Sequence, residues 1–328
     1  MSRSTTSTGL IAAVISAVSF GTSGAFVKPL LEAGWSPTAA VTARALTAGV
    51  LLLPVAVLSL RGRWAALRRA WRRIIGFGVI GVAATQLAYF GAIQTVPVST
   101  ALLVEFLAPL LLVAATAALT RRVPPPLVLL GSALAVGGLV LVIGPGALQP
   151  VDPVGLTFAF AAAIGCAAYF VIAARPSDDL PPVALAASGL IGGGLLLAGL
   201  GVTGILRFTA DFASVPLLGV LVPWWVPLLV VAAIGTALAY AAGVTASSAL
   251  GSRLASFVAL LEVVAASLFA WLLLDEGLTP LQLGGGVLIL AGIAAVRADP
   301  RPVPDGDPSD ADRPISRPAA PAAQMSPR

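Results

Sequence analysis

Two glutamates, Glu105 and Glu262, stand inside long apolar runs, Val98–Leu119 and Leu254–Leu274. A carboxylate at bilayer depth costs roughly 2.5–3.5 kcal/mol on insertion scales unless it faces protein or water. Such a group suits proton carriage or the binding of an ammonium. At 1.5 Å per residue, Glu105 lies about 10 Å below one edge of its run, and Glu262 about 12 Å in from the opposite edge. Glutamate is too short to snorkel from there. Arg44, about two turns into Pro37–Leu60, enters from the same side as Glu105 at similar depth and is a candidate partner for it. Gln86 and Tyr89 are three residues apart and so share a helix face. With Tyr169 and Tyr240 they supply polar handles for a substrate. Lys28, the only lysine, closes the candidate set. Each has a structural alternative: a buried ion pair for the charges, interhelical hydrogen bonds for the amide and phenols, a surface anchor for Lys28.

Other chemistry is excluded by composition. The chain has no histidine, which removes histidine-based metal sites and Ser–His or Cys–His catalysis. Gly21-Thr-Ser-Gly24 resembles the serine motif of rhomboid-type proteases but lacks the histidine it would need; small residues for helix packing explain it better. The single cysteine, Cys166, cannot form an intrachain disulfide. No Gly-x-x-x-x-Gly-Lys-Ser/Thr loop is present, so no ATP hydrolysis is expected, and no cofactor or metal is implied. The net charge of +5 is no nucleic-acid signal, because the arginines cluster at the edges of apolar runs.

The elements that must position these residues are membrane spans. Of 328 residues, 58% are hydrophobic and 10% charged, against about 25% charged in soluble domains. A span needs about 20 apolar residues, and ten runs qualify: Leu10–Leu31, Pro37–Leu60, Ile74–Ile93, Val98–Leu119, Pro125–Ile143, Val154–Ala174, Val183–Leu206, Val226–Ala246, Leu254–Leu274 and Pro280–Val296. The first lacks a small-residue cleavage site and reads as retained. Arginines crowd the loops after spans two, four, six and eight, from Arg61 to Arg73, at Arg121–Arg122, Arg175 and Arg253. The positive-inside rule then places both termini in the cytoplasm. The segment Arg207–Trp225 is too short in apolar length to cross and should lie at the outer interface, with Trp224 and Trp225 as belt residues. Residues 298–328 are rich in proline, aspartate and arginine and read as a disordered cytoplasmic tail.

The chain also looks duplicated. Thr85-Gln-Leu-Ala-Tyr89 matches Thr236-Ala-Leu-Ala-Tyr240 at an offset of 151; at an offset of 154 Pro126 meets Pro280, Gly131 meets Gly285 and Gly138 meets Gly292. Pro37 and Pro182 open spans two and seven. A five-span unit used twice enters the membrane from opposite faces, so the copies are inverted about an axis in the membrane plane. The expected fold is an all-α polytopic membrane protein of ten helices in two inverted five-helix repeats, residues 1–148 and 149–297.

The residues around these landmarks resemble the EamA-like branch of the drug/metabolite transporter superfamily. They are Ser19-Phe-Gly-Thr-Ser-Gly-Ala-Phe-Val-Lys28, Ser36-Pro37 followed by Arg44, and Leu260-Leu-Glu262 through Asp275-Glu276 to Pro280-Leu-Gln-Leu-Gly284. Val263 stands where many members carry proline, and Arg121-Arg122 replaces the acidic pair of the second half. The resemblance spans Gly9–Val296. It implies ten helices and the export or uptake of a small metabolite or drug across the cell membrane. The residues themselves point to alternating access around a cavity between the repeats, with proton coupling through the glutamates. The partners are then a small-molecule substrate and membrane lipid, with no nucleic acid; a homodimer is compatible with the sequence but not specified by it. An intramembrane lipid-modifying enzyme and a non-transporting scaffold or receptor stay open as alternatives.

Overall fold

The computed structural model describes residues 3–144, 152–175, 179–274 and 279–299. Asp275, Glu276 and the tail beyond residue 299 lie outside them. Among the described residues nine helices are long and apolar enough to cross a membrane: Thr6–Glu32, Pro37–Ser59, Trp71–Ala92, Thr100–Thr120, Pro126–Ile143, Pro153–Ala174, Pro182–Val202, Trp225–Ala259 and Pro280–Arg297. A shorter apolar helix, Leu261–Leu273, completes the series. Local chemistry starts several of them. Pro37, Pro153 and Pro280 occupy first-turn positions, where a missing N–H costs nothing. Ser36 and Asp152 cap the first-turn amides of Ala39 and Gly155 at 3.3 and 3.0 Å. Thr279 and Gln282 form a reciprocal capping box.

Span nine departs from expectation. The run Leu254–Leu274 is not one helix: its start continues the preceding helix past a bend at Gly251 (φ 78°), and it is interrupted at Leu260. Only glycine takes that φ without strain. Span four is interrupted as well, into Val98–Glu105 and Ala108–Thr120. The two interruptions share one hydrogen-bond pattern. Leu107 and Leu110 donate to the carbonyls of Val104 and Leu107, and Leu260 and Val263 donate to those of Phe257 and Leu260. These are tight three-residue turns inserted in an α-helix. The interruption in span nine therefore needs no proline at Val263.

Spans three and eight match in another irregularity. Each carries a π-helical stretch, Phe77–Ala84 and Ala233–Leu238. The hydroxyl of Thr85 donates to the carbonyl of Ile80 at 2.7 Å, and that of Thr236 to Val231 at 2.9 Å. These are the two threonines that head the repeated motif, and each reaches back five residues.

Helices from the two halves pack directly on one another. A Cβ on Gly138 would lie 2.5 Å from the Gly285 carbonyl oxygen, and one on Gly131 would lie 2.7 Å from that of Gly292. Rising numbers in one helix meet falling numbers in the other, so Pro126–Ile143 and Pro280–Arg297 cross antiparallel with their backbones touching. Pro37–Ser59 and Pro182–Val202 do the same: Ile191 covers Gly49 and Leu46 covers Gly194. Gly78 and Gly193 also pack this way, whereas Gly192 and Gly284 meet nothing within 4 Å.

The segment before Trp225 forms an antiparallel hairpin, Val215–Leu217 with Val220–Val222, turning through Leu218 (φ 52°) and Gly219 (φ 79°). It is strapped to the turn between the first two spans. The Ser36 amide donates to the Thr209 carbonyl at 2.8 Å, and the Thr209 amide to the Ser36 hydroxyl at 3.0 Å. Trp224 is no lipid-facing belt residue: it stacks against Trp35 and Phe212 at 5.7 and 5.0 Å, because the strap brings Trp35 beneath it. Trp225 remains 48% exposed. At the other end of the bundle Arg253 and Asp299 pair at 3.2 Å, so the expected tail is still held at Asp299.

Candidate functional site

One cavity of about 780 Å³ runs into the bundle. Its wall holds Arg44, Gln86, Tyr89, Glu105, Tyr169, Tyr240 and Glu262, seven of the eight candidates read from the sequence. They come from six different spans. Lys28 is elsewhere: with Glu32 it borders a smaller recess of about 260 Å³ under the hairpin residues Pro216, Leu217 and Leu218. Gln94 is exposed and donates to the Phe90 carbonyl at 3.3 Å. Residues that sequence reading passed over also line the cavity: Ser16, Phe20, Thr85, Cys166 and Gln282. Thr85 and Gln282 sat in quoted motifs, and Cys166 lies one turn before Tyr169. Phe20 also sat in a quoted motif, and Ser16 carried no signal. Gly21 packs on the Ala266 backbone, while Gly24 opens onto the cavity.

The interruptions explain where the glutamates are. Glu105 is the last residue of Val98–Glu105, at the carbonyl end of a half-helix. Glu262 is in the first turn of Leu261–Leu274, at the amide end of another. A helix start favours a carboxylate and a helix end favours a cation, so the two acids stand in opposite local fields. Arg44 is within electrostatic range of both and of Tyr240. The direct Arg44–Glu105 pair does not form: no N–O distance of 4.0 Å or less joins Arg44 to either glutamate among the described residues. All three side chains face the cavity.

The cavity reaches one face of the bundle. Leu31, Pro37, Ile93, Ile143 and Gln282, each at or near the end of its helix, all border it. Its depth is closed by an aromatic floor. Tyr169 meets Phe77, Phe170 and Tyr240 at 5.2, 5.0 and 5.8 Å between ring centres, and Phe20 caps Tyr240 at 5.2 Å. Below the floor Arg73 donates to the carbonyls of Ile172 and Ala173 at 2.9 and 3.0 Å, fastening the start of span three to the end of span six. The Tyr169 hydroxyl is buried without a hydrogen-bond partner and rests against Gly243. A ligand oxygen could satisfy it. No group of three His, Cys, Asp or Glu side chains among the described residues could hold a metal.

A multi-pass bundle with a mainly apolar, aromatic-floored cavity that carries a few polar groups and is built on interrupted helices is the class of a membrane transporter. The sequence matches the model of the EamA-like transporter family twice, over residues 7–144 and 153–298, and the chain belongs to that family. A solved structure titled only "Crystal structure of protein" is similar, with a TM-score of 0.70 and 20% identity over 88% of this chain and 96% of the other. At that identity it speaks for the fold alone. None of the curated proteins matches.

Proposed function

We propose that this chain is a secondary transporter that moves a small organic metabolite or drug across the cytoplasmic membrane by alternating access, coupled to protons through Glu105 and Glu262. The observation that carries the reading is the convergence of seven polar candidates on one 780 Å³ cavity that reaches a single face. That volume falls within the roughly 300–1,000 Å³ usual for small-molecule sites. Ten spans in two inverted units, residues 1–148 and 149–297, account for the matched interruptions, the matched π-helical turns and the reciprocal antiparallel contacts. With the arginine loops and both termini in the cytoplasm, the cavity faces outward and the aromatic floor closes the inner side.

The test is pH-driven uptake in proteoliposomes, using a ligand found by thermal-shift screening of the purified chain. Glutamine keeps the size of glutamate and removes its charge. Glu105→Gln and Glu262→Gln should each abolish pH-driven flux while leaving the folded protein intact. Wild-type flux with unchanged pH dependence in both variants would make the carboxylates structural.

A further inference from the structure

We infer that the central cavity lacks one positive charge, and that a proton and a monovalent organic cation fill this vacancy in turn, exchanging one for one. The inference rests on the transporter reading and names its substrate class. Among the described residues, the ionisable groups of the cavity wall are Arg44 from span two, Tyr89 from span three, Glu105 from span four, Cys166 and Tyr169 from span six, Tyr240 from span eight and Glu262 from span nine. Phenols and thiols are neutral in their ordinary states at neutral pH, and a guanidinium does not give up its proton in proteins. Two carboxylates then face one fixed cation. An uncompensated charge in a low-dielectric cavity is costly, so one more positive charge is needed for neutrality.

The geometry says where that charge goes. Neither glutamate is locked in contact with Arg44. Glu262 has the amide end of its half-helix beside it, a field that favours its carboxylate opposite Arg44. Glu105 sits at a carbonyl end, where the local field adds to its attraction for a cation. The exchanging position is therefore Glu105, with the Tyr89 phenol in its electrostatic field. The step balances: a protonated Glu105 and a free cation become a Glu105 carboxylate–cation pair and a released proton. The cavity is far larger than an inorganic ion, and Phe20, Phe90, Phe106 and Phe170 join the tyrosines in its wall. Aromatic faces attract organic cations.

The probe is benzyltrimethylammonium, a monovalent aromatic cation, titrated into the purified full chain by calorimetry in buffers of different ionisation heat. At the pH of maximal release the wild type should free one proton per cation bound. Glu105→Gln should free none and bind at least about tenfold more weakly. Glu262→Gln should free none, because its remaining charges already cancel. Arg44→Gln should still free one, because a monovalent cation replaces only one of the two protons that its two carboxylates then need. Binding without proton release, an unchanged count in all three variants, equal binding of the neutral isostere neopentylbenzene, or no binding of the cation would each overturn the inference. A wild type that moves a screened ligand with no proton release sinks this proposal alone; one that moves no ligand sinks the transporter reading.

Discussion

Arg44 shows how much a single charge depends on where its neighbours face. It and both glutamates turn toward one cavity and act on one another through it without touching. A contact pair broken on one side costs about 3–5 kcal/mol; here the dependence should be smaller and shared. Arg44→Gln and Glu105→Gln should each change thermal stability, and the double variant should depart from additivity by about 0.5–1 kcal/mol. Strict additivity in unfolding would show that the two charges do not sense each other. The unpartnered Tyr169 hydroxyl belongs to the same scale, since it rests against Gly243 with no hydrogen-bond partner.

At the scale of elements, the helix interruptions decide where the glutamates stand. Interruptions at residues 106–107 and 260 stop two helices at the depth of the glutamates, and so present one carboxylate at a carbonyl end and the other at an amide end. The π-helical turns of spans three and eight stand just before Gln86 and Tyr240 and set which way those side chains face. Thr85→Val and Thr236→Val keep shape but lose the hydroxyl bond, and each should cost about 0.5–1.5 kcal/mol in thermal unfolding. Gly138 is less forgiving. A side chain there meets the Gly285 carbonyl, which cannot move without its helix. Gly138→Val should lower stability by about 3 kcal/mol or more, read as loss of the monodisperse peak in size-exclusion chromatography.

For the whole molecule, the state captured is asymmetric. Spans six and eight pack closely beneath the cavity, while spans one and three, their counterparts in the other unit, make no comparable contact among the described residues. One side is shut and the other reached by the cavity, as alternating access requires. Sidedness is open to test by cysteine labelling in a Cys166→Ser background. Ala210→Cys, in the strap, should react with an impermeant reagent added outside, and Arg63→Cys, in the first arginine loop, should be spared. The reverse pattern would invert the orientation.

Much of this was legible in the residues. Apolar run length marked the helices, because a backbone in lipid must satisfy its own hydrogen bonds. Repeated threonines, tyrosines and glycines marked the duplication, because the same local bonds and close approaches recur in both halves. Glutamates at bilayer depth marked two positions that line the cavity, because a carboxylate there is too costly to leave facing lipid. The break at Leu260 was not legible, since it is made by three-residue backbone turns that any apolar sequence can form. The pairing of Arg44 was not either. Depth along a helix is set by counting residues, whereas the direction a side chain faces is set by the helix rotation that tertiary packing selects. That packing brought Phe20, Cys166 and Gln282 to the cavity, left Lys28 outside it, and drew Trp224 inward onto Trp35. Such contacts join residues far apart in the chain, and no local pattern encodes them.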